Sequence, residues 1–497
     1  MTSLEAHLPV LQVVVPLLGA VLSAFLRRGR SAWLLALVVS WVVLAISLAL
    51  AVKVLADGPI SYHIGGWAPP VGIEYRVDQL SAFVLVVVSV IGAIIMPYAR
   101  VSVAHEIEGD KQAWFYTMYL LCLTGLLGIA ATGDAFNLFV FLEISSLSTY
   151  VLLALGKDRR ALLASYQYLI VGTIGATFYV IGVGLLYLVT GTLNLHDMAI
   201  RLSDPTLFAA RPVLTALAFI TVGVSLKLAL FPLHVWLPGA YAYAPSMATG
   251  FLAGTATKVA IYVLIRYFFS VFGVAISFKT LPVSEVFLVL SVAAMFIASL
   301  IAVYEKNLNR LLAYSSLGQV GYITLGIAIA NVDGLTGSIV HLFNHALMKT
   351  ALFMAAGAIF YRLASTDLDA IAGIGRKMPL TMLTFVIGGM SLVGVPGTNG
   401  FISKWYLAVG AYERGWWPVV FLILMSSLIA VIYVGRVIEA AWFRQPSEAV
   451  EKAKDPPLSM LVPMLVIAAA VIYFGINSEA PVGLAHKAAE VLIGGIK

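Results

Sequence analysis

Long apolar stretches alternate with short polar loops from Leu8 to Phe474. Each stretch approaches the roughly 20 residues that a helix needs to cross about 30 Å of hydrocarbon. The pattern therefore predicts an all-α integral membrane protein of about fourteen transmembrane helices. The predicted spans are, in chain order, Leu8–Leu26, Trp33–Val54, Leu80–Pro97, Trp114–Ala131, Ala135–Leu155, Leu162–Val189, Val213–Trp236, Tyr243–Phe269, Ser284–Val303, Leu311–Ala330, Gly334–Phe360, Leu380–Val409, Trp417–Ala441 and Ser459–Phe474.

The basic residues cluster in alternate loops, and the intervening loops carry far fewer of them. By the positive-inside rule the basic loops face the cytoplasm, so both termini are expected on the outer side. The first stretch has no basic region before it and no cleavage pattern after it, so we expect a retained span. The clustered basic residues are Arg27, Arg28, Arg30, Lys157, Arg159, Arg160, Lys306, Arg310, Arg362, Arg376, Lys377, Arg444, Lys452 and Lys454.

The composition agrees with this pattern, because 61% of the residues are hydrophobic and only 11% are charged. A soluble domain of this size could not stay in solution with that balance. The net charge of +6 would suggest nucleic acid for a soluble protein, but these basic residues lie in membrane loops or inside spans. The single cysteine, Cys122, cannot form an internal disulfide and has no partner for a metal site. We therefore expect no cofactor and no redox or hydrolytic site in the chain itself.

Two of the predicted spans are marked as broken helices. In the seventh, Pro232 and Pro238 lie late in the run SLKLALFPLHVWLP, where each proline removes a backbone donor. In the twelfth, Pro396 and Gly397 lie within LVGVPGTNGFISKW at mid-membrane depth. Freed backbone groups at such depth need protein or water to satisfy them, which is typical of transporters.

The two breaks are five spans apart, which predicts two consecutive five-helix units that each contain one break. Because five is odd, consecutive units must have opposite orientations in the membrane, as in inverted repeats. The predicted organisation is residues 1–112 for helices 1–3, 113–270 for the first repeat, 271–445 for the second repeat, and 446–497 for helix 14 and a tail.

Two charged residues are predicted inside the first repeat at mid-membrane. Glu143 lies at the centre of FNLFVFLEISSLSTY, where a carboxylate costs roughly 2.5 kcal/mol or more. Lys227 lies about one turn before Pro232. If the two pair at about 6 Å, Coulomb's law at an effective dielectric of about 20 gives roughly 3 kcal/mol, enough to change the protonation of the lysine. The alternative is a fixed ion pair that only holds two helices together.

Further ionisable residues continue along the apolar spans. Lys258 lies at mid-depth of the eighth span and would be the next proton carrier. His341, His345 and Lys349 follow one another at steps of four, so they line one face of the eleventh helix over roughly 12 Å. Histidine titrates near physiological pH, which suits a proton relay. The alternatives are a zinc site, for which that face offers no carboxylate or cysteine, and histidines that only pack between helices.

Lys404 follows the break of the twelfth span much as Lys227 adjoins the break of the seventh. This correspondence favours Lys404 as the far end of the buried line, near an exit. Other ionisable residues lie at the predicted membrane boundaries, and we expect ordinary interfacial roles for them. These residues are Asp78, His234, Glu305, Lys306 and Arg310.

The motifs quoted above, together with GTATKVAIYVL, NRLLAYSSLGQVGYI and HLFNHALMKTALF, resemble the proton-translocating antiporter-like subunits. These subunits are shared by respiratory complex I, membrane-bound hydrogenases and Mrp-type multisubunit cation/proton antiporters. The resemblance covers most of the chain, from about Asp78 to Arg444. The stretch VTGTLNLHDMA looks most like the D-type subunit of the Mrp antiporters, and the lysine at position 404 argues against the complex I subunit that usually has a glutamate there.

The resemblance implies a role for each matching residue. Glu143 and Lys227 would be the coupling pair, Lys258 and the His341–His345 helix the hydrated axis, and Lys404 the terminal proton site. It also implies two inverted five-helix bundles, membrane partner subunits, and a bacterial or archaeal plasma membrane. The chain departs from the family at Gln167, where many relatives place a lysine, and at Asn309, where a second basic residue is usual.

Three hypotheses for function follow. The leading one is a subunit that moves protons within a cation (Na⁺ or K⁺)/proton antiporter, and its alternative is a proton-pumping subunit of a redox-driven complex. A quinone reductase in its own right would need a cofactor motif, which the sequence does not contain. A structural subunit whose charges have no function is the third hypothesis.

Overall fold

The computed structural model describes residues 3–26 and 28–495, so Arg27 of the first basic loop lies outside the described residues. Within those ranges, 12 helices are long and apolar enough to cross a membrane. Two shorter apolar helices, Leu8–Ala24 and Pro379–Val393, coincide with the predicted first and twelfth spans. The prediction of an all-α, multi-pass membrane protein is confirmed.

We number the spans as they were predicted. The first six are Leu8–Ala24, Gly29–Asp57, Gln79–Glu106, Gln112–Ala131, Ala135–Ala154 and Arg159–Thr190. The seventh comprises Arg211–Leu228 and Trp236–Tyr243, and the twelfth comprises Pro379–Val393 and Asn399–Glu413. The others are Ser246–Val271, Val283–Tyr304, Leu308–Ile329, Val332–Leu363, Trp417–Phe443 and Leu458–Ile476.

The eighth and tenth spans form the centre of the molecule. Other parts of the chain bury 94% of the apolar 18-residue stretch in each of these two spans. The corresponding fraction is 33% in the thirteenth span, at the periphery. The eleventh span packs against both central spans and against the third. Polar side chains on these central helices are therefore shielded from lipid by protein.

The seventh and twelfth spans are interrupted where predicted. In the seventh, the helix ends at Leu228, Ala229 takes a left-handed conformation with φ of 59°, and Pro232 lies in the non-helical segment. Pro238 was wrongly assigned to this break: it lies in the first turn of the second half-helix, Trp236–Tyr243. A proline there removes no intrahelical hydrogen bond, because first-turn N–H groups have no partner within the helix.

In the twelfth span, Gly394 and Gly397 both have φ of 87°, which a glycine adopts without steric cost. Pro396 lies between them, so the predicted break is correctly placed. The inverted relation between the two five-helix units, and the unit boundaries, stay predictions.

The third span is longer than the sequence suggested. We expected it to end at Pro97, but the helix continues to Glu106 with Pro97 inside it. Proline is tolerated within membrane helices because neighbouring groups satisfy the freed backbone. The group that Pro97 frees is the Ala93 carbonyl, four residues earlier. The Trp33 indole donates a separate hydrogen bond, at 2.8 Å, to the carbonyl oxygen of Met96, the residue before the proline. The extension carries Glu106 to the edge of the bundle.

The loop between the second and third spans contains a hairpin that the sequence did not reveal. Strand β1, Ile60–His63, pairs antiparallel with strand β2, Glu74–Val77. The buried Glu74 carboxylate accepts hydrogen bonds from Ser61 Oγ at 2.5 Å and from Asn194 Nδ2 at 2.7 Å. The first bond lies within the hairpin, and the bond from Asn194 fixes the hairpin to the loop after the sixth span. Two further helices, Leu195–Leu202 and Glu479–Gly494, flank the bundle.

Asp78 caps the third span on the same face of the molecule. Its carboxylate accepts a hydrogen bond from Ser81 N at 2.9 Å and forms an ion pair with Arg266. Burial raises the pKa of Asp78, but the Arg266 guanidinium and the Ser81 N–H outweigh burial and hold the pKa below its ordinary value. This position agrees with the interfacial role expected for Asp78.

Candidate functional site

Glu143 and Lys227 form an ion pair inside the bundle. Lys227 Nζ lies 3.2 Å from Glu143 Oε1 and donates to Ser146 Oγ at 2.6 Å. This separation is about half of that assumed from the sequence, and the gross attraction at an effective dielectric of about 20 is roughly 5 kcal/mol. Lys227 also lies in the last turn of its half-helix, where the helix dipole favours a cation. Pairing and helix end together stabilise the ammonium.

The two partners differ in exposure. The Lys227 side chain is 6% exposed, whereas the Glu143 side chain is 25% exposed on the outside of the subunit. The Glu143 carboxylate therefore lies between the buried lysine and the outer surface of the fifth span.

A cavity of about 20 Å³ adjoins Lys227 on the side of the eighth span. This volume has room for one water molecule, and polar side chains are available to bind it. The cavity is lined by Leu126, Ile129, Leu142, Ser145, Ser146, Thr149, Tyr168, Lys227, Ala256, Val259 and Ala260. It leads from the ion pair toward the helix that carries Lys258.

Lys258 is 1% exposed at the centre of the molecule. Its Nζ donates to the Ala253 carbonyl oxygen, and Thr257 Oγ1 lies 3.4 Å away. The side chain thus extends toward the N-terminus of its own helix, as helix geometry favours. Neutral oxygen atoms are its hydrogen-bond acceptors.

His341, His345 and Lys349 share one face of the eleventh span, as predicted, and this face packs against the tenth span. His341 Nε2 lies 2.9 Å from Gln319 Oε1, and His341 Nδ1 lies 2.7 Å from Ser403 Oγ. Lys349 Nζ donates to the Leu312 carbonyl oxygen at 2.9 Å and to Ser315 Oγ. All three ionisable side chains are fully buried.

The hydrogen bonds of His341 allow two protonation states. A neutral ring donates from Nε2 to Gln319 and accepts at Nδ1 from Ser403. A protonated ring donates at both nitrogen atoms, and Ser403 Oγ then donates to the Gly400 carbonyl oxygen, which lies 3.2 Å away. Rotation of one hydroxyl group therefore accommodates a proton on His341.

His345 lies one helical turn further on. The His341 and His345 rings are nearly parallel, with centroids 6.2 Å apart. Both ring nitrogen atoms of His345 are buried without a hydrogen-bond partner among the described residues. Buried polar groups of this kind are usually satisfied by water. A water molecule beside His345 would extend the line between His341 and Lys349.

Lys404 reaches back to the break in its own span. Its Nζ donates to the Leu392 and Val393 carbonyl oxygen atoms at 2.9 and 3.0 Å, and to Ser427 Oγ at 2.9 Å. These carbonyl groups belong to the last turn of the first half-helix, where they have no intrahelical partner. The break thus supplies an acceptor site for the ammonium group.

Tyr322 connects Lys404 with His341. The Lys404 Nζ lies 4.5 Å from the centre of the Tyr322 ring, and the Tyr322 and His341 ring centroids are 5.6 Å apart. The structure therefore brings His341 and Lys404 to the same aromatic ring.

Several neutral side chains of this site were missed by the sequence reasoning, which followed charge. A neutral side chain costs too little to insert into the membrane to stand out in the sequence. A polar residue on a helix that is buried on all sides does, however, indicate a hydrogen-bond partner. They are Ser146, Ser315, Gln319, Tyr322, Asn344, Ser403 and Ser427.

The two departures noted in the sequence have different surroundings. Gln167 is exposed on the outside of the sixth span. Asn309 lines a large cavity on the face of the basic loops.

Comparison with known proteins places this arrangement in a family. Residues 132–430 match the family described as NADH:quinone oxidoreductase/Mrp antiporter, TM. A protein from Desulforudis audaxviator named NADH-quinone oxidoreductase subunit N is 40% identical, covering 96% of this chain and 97% of the relative. A Bacillus subtilis protein, named as the D-type subunit of a Na(+)/H(+) antiporter, is 29% identical, covering 97% of each chain.

A solved structure agrees with these sequence relatives. A chain in the Mrp complex from Dietzia sp. DQ12-45-1b superposes with a TM-score of 0.90 at 28% identity, covering 99% of this chain and 98% of that one. The expected family is confirmed, and the choice of the D-type subgroup stays a prediction. The chain belongs to the NADH:quinone oxidoreductase/Mrp antiporter transmembrane family.

Proposed function

We propose that the chain is the proton-translocating subunit of a multisubunit cation/proton antiporter, in which protons move along the buried line from Glu143 and Lys227 to Lys404. The observation that carries the proposal is the series of buried ionisable groups, of which Lys227, Lys258, His341, Lys349 and Lys404 bond to side-chain or carbonyl oxygen atoms. A charge held only for packing would not need acceptors in succession through the centre of the bundle.

The steps of the line follow from the contacts. Movement of charge at Glu143 changes the field on Lys227, 3.2 Å away, and so favours loss or gain of its proton. The small cavity beside Lys227 leads toward Lys258, and the eleventh span continues with His345 and His341. Lys404, which contacts the same Tyr322 ring as His341, is the terminal site.

The partial exposure of Glu143 supports a partner subunit at this face. A carboxylate exposed to lipid at mid-membrane costs at least about 2.5 kcal/mol. A neighbouring membrane subunit with a cation or hydrogen-bond donors at the same depth would remove this cost. It would also connect the ion pair to events in that neighbour. The relative from Dietzia likewise occurs within a complex.

One observation favours the alternative of a redox-driven complex. The relative named NADH-quinone oxidoreductase subunit N has the higher sequence identity, 40% against 29% for the D-type antiporter relative. In that case the same line of residues would move protons, and electron transfer in partner subunits would supply the energy. We infer for both cases a bacterial or archaeal plasma membrane, with the basic loops in the cytoplasm and both termini outside.

The test uses everted membrane vesicles that contain the assembled complex. Replacing Glu143 by Gln, or Lys227 by Ala, is expected to lower proton transport at least tenfold while the amount of assembled complex stays constant. Glu439→Gln is the matched control, because Glu439 is an exposed glutamate paired with Arg444. Unchanged transport in both site variants would contradict the proposal.

The energy source is tested in the same vesicles. An antiporter responds to added Na⁺ or K⁺ with proton movement when no electron donor is present. A redox-driven complex requires an electron donor and acceptor. Copurifying subunits in mild detergent distinguish the two cases independently, because iron–sulfur subunits would indicate the redox complex.

A further inference from the structure

A large cavity, lined in part by charged side chains, opens on the face of the basic loops. Its volume is about 590 Å³, and it lies where loops from both predicted five-helix units meet. The lining includes backbone and side chains from the ends of the third, seventh and eleventh spans. Its charged or titratable side chains are His105, Glu106, Lys157, Asp158, Arg160, Tyr243, Arg310 and Asp367. Such a cavity has room for many water molecules.

Glu106 is the buried carboxylate of this cavity. It is the last residue of the third span and is 9% exposed. It accepts hydrogen bonds from Ser102 Oγ at 2.7 Å, from Ser246 N at 2.8 Å and from Ser246 Oγ at 3.1 Å. Ser246 begins the eighth span, which carries Lys258. Glu106 therefore lies between the cavity and the central helix of the line.

We propose that Glu106 collects protons from this cavity and passes them to the buried line at Lys258 and Lys349. This inference rests on the proposed function and adds to it the point of entry and the residue that serves it. The cavity brings water to the carboxylate, and the start of the eighth span leads inward.

Backbone and hydroxyl oxygen atoms lead from Glu106 toward Lys258 along one side of the eighth span. Gly250 lies one turn beyond Ser246, about 6 Å along the axis, and its carbonyl oxygen accepts from Thr350 Oγ1 at 3.4 Å. Ala253, whose carbonyl oxygen accepts from Lys258, lies about 4.5 Å further along. Each interval is short enough for one or two water molecules.

Gly254 makes this approach of two helices possible. A Cβ atom at Gly254 would clash with Thr350 Oγ1 and would lie 2.9 Å from Ile91 Cγ2. Any larger residue would displace the Thr350 hydroxyl from the eighth span. Thr350 is also the neighbour of Lys349 in the chain, so this contact packs the turn that carries Lys349 against the eighth span.

A second branch reaches Lys349 through the tenth span. Asn309 lines the cavity, and Leu312, whose carbonyl oxygen accepts from Lys349, lies three residues further along the helix. That distance is about 4.5 Å along the helix axis. The cavity thus comes within one helical turn of the Leu312 carbonyl group that binds Lys349.

The competing interpretation is that Glu106 only caps the N-terminus of the eighth span. Serine, threonine, asparagine and aspartate serve that purpose without a buried glutamate. A cap also has no need of a cavity of this size beside it. The groups that face Glu106 include Lys157 and His105 of the cavity and the neutral Tyr98 of the same span, and the charges of Lys157 and His105 influence any pH profile.

The first experiment measures access of water to Glu106 and does not depend on transport. In a Cys122→Ser background, Ser365→Cys places a thiol at the cavity rim and Ser246→Cys places one beside Glu106. A small, membrane-impermeant methanethiosulfonate is expected to modify both thiols in everted vesicles, and neither in intact cells. The entry route is overturned if Ser246→Cys stays unmodified in everted vesicles while Ser365→Cys reacts. Modification in intact cells alone would also overturn it.

The second experiment compares Glu106→Gln with Glu106→Asp in the assembled complex. The glutamine keeps an oxygen acceptor for the Ser246 N–H but cannot take up a proton. We expect at least a tenfold loss of proton transport for Glu106→Gln, and partial recovery with a shifted pH profile for Glu106→Asp. A wild-type rate and pH profile in Glu106→Gln would show that Glu106 is only a cap.

The outcomes separate this inference from the proposed function. If Glu106→Gln has no effect while Glu143→Gln abolishes transport, the entry site is wrong and the line stands. If neither variant affects transport, the proposed function itself is wrong. Glu439→Gln again controls for the chemical change at an exposed position.

Discussion

Lys404 and Tyr322 are in direct contact, with the lysine Nζ 4.5 Å from the centre of the aromatic ring. The two also share Ser427, whose Oγ accepts from Lys404 at 2.9 Å and lies 3.2 Å from the Tyr322 hydroxyl. A cation over an aromatic face gains roughly 0.5–2 kcal/mol, more when water is excluded. Tyr322 therefore contributes to the stability of the charged form of the terminal lysine.

This contact predicts different effects for two replacements of Tyr322. Tyr322→Phe keeps the ring and should change transport less than twofold. Tyr322→Leu removes the cation–π contact of roughly 1 kcal/mol, so Lys404 should lose its proton more readily. The pH of half-maximal transport should then move downward by somewhat under one unit. Transport measured against pH in vesicles checks this, and equal profiles for the two variants would contradict it.

The Glu143–Lys227 pair predicts that stability and transport respond differently to double replacement. Neutralising one partner leaves a buried charge uncompensated, which costs roughly 3–5 kcal/mol for fully buried pairs and less here because Glu143 is partly exposed. The double variant Glu143→Gln with Lys227→Gln should recover most of that stability and none of the transport. Thermal unfolding of the complex in detergent gives the first quantity, and vesicle assays give the second. Recovery of transport in the double variant would indicate a merely structural pair.

Replacing either histidine of the eleventh span should lower proton transport, but the two replacements should differ in their effect on the stability of the protein. His341→Ala leaves Gln319 Oε1 and Ser403 without their partner, which costs about 1–3 kcal/mol beyond the lost packing. His345→Phe removes no side-chain hydrogen bond among the described residues, so the protein should stay stable. Both variants should still lose most proton transport. Normal transport in His345→Phe would support the interpretation that this histidine only packs between helices.

The Asp78–Arg266 pair predicts a stability difference that depends on pH. Asp78→Asn leaves the Arg266 charge unpaired, which should cost roughly 3 kcal/mol at neutral pH. Because the pKa of Asp78 is depressed in the folded protein, its stabilisation is present above the unfolded pKa of about 3.9 and is lost as pH falls through the lower folded value. The stabilities of the wild type and the variant should therefore become equal only in strongly acidic buffer. Apparent melting temperatures across pH test this, and a constant difference would contradict it.

The helices and the ionisable groups can be predicted from the sequence because each carries a large local signal. Roughly 20 apolar residues predict a span, and a lysine such as Lys258 within one is conspicuous by its insertion cost. The break at Gly394 and Pro396 was likewise visible from residue type, since both residues disfavour a continuing helix.

Other features could not be read from the sequence because they depend on contacts between distant residues. The hydrogen bond from Ser246 to Glu106 joins residues 140 positions apart, and Glu106 itself reads as a loop residue after Pro97. Pro238 was wrongly predicted to break a helix, because the effect of a proline depends on its position within the helix. Only the structure gives that position. The β1–β2 hairpin has too short a pattern to stand out beside the spans.

The acceptors of Lys404 have a consequence for how this chain tolerates mutation. Two of the three are the main-chain oxygen atoms of Leu392 and Val393, and every amino acid supplies the same atom. Side-chain replacement at these two positions leaves the ligand set of the lysine intact. Gly394 is different, because a Cβ atom there would lie 2.9 Å from Lys404 Cδ and its φ of 87° is strained for other residues. Genetic drift can therefore change the side chains at Leu392 and Val393 without removing a ligand of the lysine, while Gly394 has to be kept.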